Sequence, residues 1–584
     1  MTKNNKSYIK LRISLVGILF FIIIAGICTK AVYLQVVRGE WLSEQAAAQY
    51  EKSLVQTGKR GSIYDRHLND MAVSIKGTSV AVFPSRIQDK RKTAGAVSKA
   101  LGLDRKTVYR RLQTGEGFIW LKRQATPKAV ETLKSLHIKG LEFIPEYNRF
   151  YPNRELAAQL IGFTGVDGNG LEGLEYGYDR VLRGKQQKCV VLEDALGRRF
   201  AKDNAESGNN FGPLASGNNI VLTIDKNIQY ITESALKACV AEFEAKAGMA
   251  VVMNPATGAI LALANFPTFN PNSFSKYDRD HWRNRAITDP FEPGSTMKVF
   301  TTAAALESGI CSASSIFFCE NGCYKIGRHT IHDTHPRNWL SLQQIVKYSS
   351  NIGIAKVLQA IGPETLYRTL VNFGFGRKTG LDCPGETAGS LTDPARWTSI
   401  DATTIAFGQG MSVSAVQLTA AVASLANGGL LMKPYIVEAV TDANGRIIRQ
   451  TKPVVIRQAV RPGTAAKVNR IMQTVITEGG TGTNAALDGY SISGKTGTAQ
   501  KIDESKTYAK GKFVSSFIGF APASKPAVVI LVVVDEPRKA HYGGTVAAPA
   551  FRKITHDTLQ YLNIPPESGR NPFRRASLNI EVNK

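Results

Sequence analysis

The sequence predicts an α+β chain in three parts: an N-terminal transmembrane helix, a mixed, β-rich module, and a larger domain whose antiparallel sheet is covered by helices. Three observations carry this. An uncharged run, ISLVGILFFIIIAGICT, fills the 17 positions between Arg12 and Lys30. A stretch rich in Asn, Gly and Ser, residues 203–219, divides the remainder. Beyond it, strand-like runs stand at both ends and helical patterns fill the middle, which implies one sheet built from the two terminal strand groups.

Composition narrows the function classes. The 584 residues hold 73 Lys and Arg against 47 Asp and Glu, a net charge of +26. At about 150 residues per domain, three or four domains are expected. With 43% hydrophobic and 21% charged residues the chain is neither disordered nor a polytopic membrane protein. Seven Cys are too few for a disulfide scaffold. The basic excess suits nucleic acid, an anionic membrane surface or an acidic polymer.

The N-terminal run decides among these. Its apolar character resumes over Ala31–Val37, enough for a bilayer core that needs about 20 residues, and Lys30 can snorkel. No small-x-small cleavage site follows. Ile27, not a small residue, precedes Cys28. The segment therefore reads as an uncleaved signal anchor. Lys3, Lys6, Lys10 and Arg12 put the N-terminus in the cytoplasm and the rest outside. The positive charge then faces membrane and cell wall, and nucleic acid is not an expected partner.

The elements follow in order. Residues 1–12 form a cytoplasmic tail and 13–37 the anchor. Residues 38–215 form a non-catalytic module with a strand and turn at RGSIYDRHLND, helix-like patches over 93–135, and a hairpin at 187–202 turning near Ala195–Gly197. The larger domain spans 216–563. It opens with a strand at Ile220–Ile224 and a helix capped by Asp225. A hairpin turning through Asn254–Gly258 comes next, then a long helical region, roughly 295–480. Three strands and a helix near Val546–Leu562 close it, before a basic tail, 564–584.

The chemistry lies in three short motifs. In EPGSTMK, Ser295 opens a helix and Lys298 shares its face in the first turn. The helix start favours a developing anion, and a buried Lys with a depressed pKa accepts a serine proton. In KYSSNIG, Ser349, Ser350 and Asn351 lie between two helical patches. They offer a hydroxyl relay and an amide, or a plain N-cap. In ISGKTGTAQ, Lys495 brings a charge, Thr496 and Thr498 bring hydroxyls, and Gly497 allows a backbone to come close at a strand end. Each motif alone is weak. S-x-x-K, S-x-N and K-T-G in this order are the signature of the penicillin-interacting serine enzymes.

The whole chain resembles a class B penicillin-binding protein, a family with one membrane anchor, a non-catalytic pedestal and a penicillin-binding transpeptidase domain. RGSIYDR at 60–66 and GLEGLE at 170–175 resemble its pedestal motifs. EPGSTMK, FGQGMSVSAVQL at 407–418, EGGTGTNA at 478–485 and YGGTVAAPAF at 542–551 resemble its septal branch, with the elongation branch the nearest competitor. The resemblance implies the roles. Ser295 attacks the penultimate D-Ala carbonyl of a peptidoglycan stem peptide, Lys298 is the base, and Ser349 relays a proton to the leaving amine. Asn351 orients donor peptide and Lys298, Lys495 sets the potential, and Thr496 and Thr498 hold the terminal carboxylate. The N–H groups of Ser295 and Thr498 form the oxyanion hole. No metal or organic cofactor is needed. β-Lactams, a glycosyltransferase and other division proteins are the implied partners.

Other features and readings compete. His329, His332 and His335 lie near Cys319 and Cys323, but HDTHP reads as a loop, not a zinc site. Cys319 with Cys323, or Cys311 with Cys319, are disulfide candidates outside the cell. TEGGTGTNA lacks the Lys of a P-loop and reads as a loop beside the active site. Arg60, Asp65, Arg66, Glu172 and Glu175 form either a partner surface or internal ion pairs. A β-lactamase would need a second base for water and leaves the pedestal unexplained. A D,D-carboxypeptidase shares the chemistry. A β-lactam sensor or divisome scaffold would not need an intact set of catalytic groups.

Overall fold

The computed structural model describes residues 3–42, 45, 51–114, 119–193, 199–201, 215–502 and 508–567. The sequence-derived turn at Ala195–Gly197 and most of the 203–219 linker and the basic tail lie outside them. Helix α1 (Lys3–Val32) continues as a π-helical turn to Val37. Tyr8–Val37 is the one helical stretch among the described residues long and apolar enough to cross a membrane, and none of its apolar window is buried among the described residues.

The N-terminal module is built on strands β1 (Ile63–Tyr64), β2 (Asp70–Val82), β3 (Ile119–Ala125) and β4 (Leu141–Phe150). Three helices, at 90–101, 105–114 and 127–135, cover one face. Val80 and Val82 pack there against Val97, Leu112, Val130 and Leu133. On the other side of β2 lies a buried ionic cluster. Arg60 Nε donates to Glu175 at 2.7 Å and its Nη1 to Asp179 at 2.7 Å, while Arg149 Nε donates to the second oxygen of Glu175 at 2.6 Å. Asp65, also buried, accepts the N–H groups of His67, Asn69 and Lys226. Arg60, Asp65 and Glu175 are therefore interior, and the partner-surface reading of these three is corrected. Only Arg66 and Glu172 of that set are exposed.

The larger domain starts with β5 (Asn219–Leu222) and α2 (Lys226–Glu242), whose cap Asp225 accepts from Asn227 and Ile228 N–H. Hairpin β6 (Ala247–Met253) and β7 (Ile260–Phe266) follows. The helical region contains α3 (Lys298–Glu307), α4 (Leu342–Tyr348), α5 (Asn351–Ile361) and α6 (Ala415–Ala426). Strands β8 (Val437–Thr441) and β9 (Ile447–Gln450) come next, then β10 (Ser493–Ile502), β11 (Tyr508–Ala521) and β12 (Val528–Asp535), and finally α7 (Ala548–Tyr561).

Two sheets organise all this. The catalytic sheet has the order β7-β6-β12-β11-β10 and is antiparallel throughout, with strands from both ends of the domain side by side. Both faces are buried, with period two. Met249, Val251, Leu531 and Val533 join the core under α3, α5 and α6. Ala250, Val252, Ile530 and Val532 join the one under α2 and α7. This explains why β12, PAVVILVVVDEP in sequence, is apolar without alternation. The second sheet runs β9-β8-β5-β1-β2-β3, with β4 also on β2. Here β5 lies parallel to β1. The boundary expected near residue 215 is thus crossed by strand pairing, and the two parts share a sheet.

Removing one partner of the buried cluster leaves an uncompensated charge. Glu175→Ala leaves Arg149 with no carboxylate and Arg60 with Asp179 alone, and is expected to cost about 3–5 kcal/mol. A lowered melting temperature of the full chain checks this. Reversal of exposed Glu172 should leave it near the wild-type value.

Candidate active site

The nucleophile candidate sits on a tight entry turn. Gly294–Met297 forms a 3₁₀ turn and the α-helix proper begins at Lys298, so the helix starts three residues later than the sequence suggests. Ser295 remains half-buried on that turn, while Lys298 is fully buried. The turn is held from behind. Gly294 N–H donates to the Gly408 carbonyl at 2.9 Å, and Gly408 has φ +88° with a Cβ position only 2.1 Å from the Gly294 carbonyl oxygen. Only glycine fits there. This gives FGQGMS its place, directly beneath the turn.

The second motif divides its two serines between two jobs. Ser350 is the N-cap of α5, accepting the Gly353 N–H at 2.8 Å. Ser349 ends α4 with φ +60°, a conformation that costs a non-glycine residue of order 1–3 kcal/mol. That strained backbone turns its hydroxyl into the site. Lys298 Nζ donates to the Ser349 carbonyl at 2.5 Å, to Asn351 Oδ1 at 2.7 Å and to Ser349 Oγ at 3.2 Å. Lys495 Nζ donates to the same Oγ at 2.9 Å and to Thr496 Oγ1 at 3.2 Å. Ser349 Oγ thus stands between two amines. With both lone pairs taken, its own proton is free to point elsewhere.

Both amines lie in a dry interior. Burial, offset in part by Asp333, lowers Lys298 from its usual range to about 7. Burial and then the neighbouring Lys298 push Lys495 well down. Two ammonium groups sharing one hydroxyl oppose each other's protonation.

The strand motif brings the rest together. Thr496 Oγ1 is 3.1 Å from Thr481 Oγ1, which puts the EGGTGTNA loop beside the site, as the sequence suggests. Thr498 Oγ1 accepts the Gly543 N–H at 3.1 Å, and so YGGTVAAPAF closes the far side. A Cβ on Gly497 would lie 2.3 Å from Ser516 Oγ and 2.9 Å from both the Pro293 carbonyl and Thr296 Cγ2. The close backbone approach at Gly497 is made by the chain's own nucleophile turn. Ser295, Lys298, Ser349, Asn351 and Lys495–Thr498 thus converge from one turn, one helix junction and one strand.

Asp333 was not singled out by the sequence. Its carboxylate accepts the Asn351 N–H at 2.5 Å, the Ile352 N–H at 3.0 Å and the Ser350 hydroxyl. Asn351 Nδ2 donates to the His332 carbonyl at 3.1 Å. The segment read as the loop HDTHP thus anchors the amide that faces Lys298. No local spacing announces this, since the acid lies 18 residues before the amide it holds. The three histidines do not gather: His329 and His332 belong to a hairpin strand opposite Ile326 and Cys323. Among the described residues no group of three His, Cys, Asp or Glu is placed for a metal. Cys311, Cys319 and Cys323 are free thiols, so neither disulfide candidate forms.

Comparison with known proteins agrees with this geometry. Residues 248–556 match the penicillin-binding protein transpeptidase domain, and residues 55–222 the penicillin-binding protein dimerisation domain. The chain belongs to the penicillin-binding protein transpeptidase family, and its two-domain order is that of class B members. It is 36% identical to a probable peptidoglycan D,D-transpeptidase PenA of Neisseria meningitidis, over 95% of this chain and 93% of that one. It is 31% identical to the peptidoglycan D,D-transpeptidase FtsI of Escherichia coli, over 97% and 94%. Stage V sporulation protein D of Bacillus subtilis is 32% identical, over 95% and 86%. Among solved structures, penicillin-binding protein 3 of Mycobacterium tuberculosis with aztreonam aligns with a TM-score of 0.69 at 27% identity, covering 88% of this chain and 98% of that one.

Asp333 holds the α5 start as an N-cap does, a contribution of about 1–2 kcal/mol. Asp333→Ala is expected to lower the melting temperature by that amount. It should also slow covalent labelling by penicillin about a hundredfold, because a misplaced Asn351 releases Lys298. Rates of labelled-penicillin capture by the two proteins check this.

Proposed function

We propose that this chain is a serine D,D-transpeptidase that cross-links peptidoglycan stem peptides at the division septum. The observation that carries the reading is the Ser349 hydroxyl held between Lys298 and Lys495, with Lys298 three residues after Ser295. Neutral Lys298 takes the Ser295 proton as Oγ bonds to the penultimate D-Ala carbonyl carbon. The oxyanion lies against the N–H groups of Ser295 and Thr498, donors worth roughly 3 kcal/mol each. The C–N bond to the terminal D-Ala then breaks. Ser349 passes a proton to the leaving amine and is recharged by the Lys298 ammonium. Thr496 and Thr498 hold the departing carboxylate, with Gly497 keeping strand and nucleophile turn in contact. An amine of a second stem peptide then attacks the acyl carbon; the new C–N bond forms as the ester bond to Ser295 Oγ breaks, and the amine's proton returns to that oxygen through Lys298.

In a β-lactam the C–N bond that breaks lies within a ring, so the leaving amine stays tethered to the acyl group and the acyl-enzyme persists. No metal or organic cofactor enters any step. Relatives named FtsI and PenA support the septal role. The one apolar helix and the basic residues before it support a single-pass protein of the inner membrane with the catalytic domain outside. We assign 1–12 to the cytoplasm, 13–37 to the anchor, 38–215 to the pedestal, 216–563 to catalysis and 564–584 to a tail. The exposed Arg66 and Glu172 face a glycosyltransferase or other division protein.

Peptide mapping after labelled-penicillin treatment is expected to place the adduct on Ser295, and Ser295→Ala to carry none. Label retained in that variant would overturn the assignment. The acylation rate should fall about tenfold per pH unit below about 7, because Lys298 must be neutral to accept the proton and its pKa is lowered to about 7. Depletion in cells should give undivided filaments; spherical cells would point to elongation instead.

A further inference from the structure

The second sheet ends at β9, whose outer side meets no strand among the described residues. Edge strands are normally short, charged or covered, because their open N–H and C=O groups recruit other chains. β9 is short, but every residue from Ile447 to Gln450 is exposed. Ile447 is 61% exposed and Ile448 57%, and successive residues of a strand point to opposite faces. Both faces of this edge are therefore apolar and in water. Lys452 and Pro453 close the edge, since proline has no N–H to offer. Val454, Val455 and Ile456 follow, and they are exposed as well. A run of large aliphatic side chains left in water marks a surface that another molecule covers.

Charge says what covers it. Arg446, Arg449 and Lys452 are interleaved with these aliphatics, all exposed and none in an ion pair among the described residues. The acid of the turn that feeds the strand is already committed: Asp442 accepts the Asn444 and Arg446 N–H groups, both at 2.8 Å. A second copy paired edge to edge would set the three cations against their own counterparts, and like charges across a strand pair are unfavourable. Carboxylates in the added strand are favoured instead. In such pairing the backbone hydrogen bonds give affinity and the alternate side chains give the choice of partner.

We propose that β9 takes up an extended segment of another protein, acidic and aliphatic by turns, as an added strand of the second sheet. That sheet also holds β1 and β2 of the N-terminal module, so the partner docks on the sheet that joins module and catalytic domain. The test uses the full chain in detergent and fluorescein-labelled nonapeptides. Alternating Glu and Val is the probe. Its comparisons are alternating Lys and Val, alternating Glu and Ser, and the fully N-methylated Glu and Val peptide, which lack the acid, the aliphatic and the backbone donor in turn. The probe is expected to bind saturably and about tenfold more tightly than each comparison. Ile448→Asp and Lys452→Glu should each weaken it about tenfold, with melting temperature and penicillin labelling unchanged. Absence of binding, or a comparison peptide that binds as tightly, would overturn the proposal. So would sedimentation showing a dimer of the full chain that Ile448→Asp dissolves, since the occupant would then be a second copy. Should one variant fail to fold, the other decides together with the wild-type peptide series.

Discussion

Everything in the catalytic domain depends on keeping two lysine amines dry around one serine hydroxyl. In water both would be charged and neither could take a proton from a serine. Burial lowers the affinity of both for protons; at Lys298 Asp333 offsets part of this, and at Lys495 the neighbouring Lys298 lowers it further. The surrounding structure exists to hold them against that cost. Lys298 is fixed as the first residue of a buried helix, Lys495 by a strand buried on both faces, and Ser349 by a backbone turned into the left-handed region.

The arrangement is stiff because its parts brace one another. Gly408 and Gly497 let the nucleophile turn press against backbone on two sides. Asp333 reaches over from a hairpin to pin the start of α5. A site assembled from three chain segments stays within hydrogen-bonding distance only if each segment is packed from outside. The glycine-rich motifs do that packing against the turn at Gly294–Met297 and the strand at Lys495–Thr498.

The legible part of this design was local. Ser295–Lys298, Ser349–Asn351 and Lys495–Thr498 each span four residues or fewer, and their order along the chain is itself a signature. The hairpin through Asn254–Gly258 and the cap at Asp225 were likewise short-range. What stayed hidden depended on distance along the chain. Asp333 acts across a hairpin. The parallel pairing of β1 with β5 joins residues 63 and 220 with no pattern to show it. Arg60 and Glu175 look like surface charges in sequence, because only the fold brings Arg149 and Asp179 to compensate them. The helix start moved by three residues since proline at 293 and glycine at 294 favour a tighter first turn.

The order of strands in the catalytic sheet has a consequence for how the protein is made. Hairpin β6–β7 ends at Phe266, and its neighbour β12 begins only at Val528, more than two hundred residues later. At 5–20 residues per second, roughly ten to fifty seconds separate their synthesis. For that interval an apolar strand edge has been made with no partner strand. Such edges recruit other chains. Helix α2, which follows β5 and precedes the hairpin, is already present to shield one face. The opposite face waits for α3, α5 and α6. The helical insert between the two strand groups thus also serves, while the chain is still being made, as the cover for the second face of the strands that precede it.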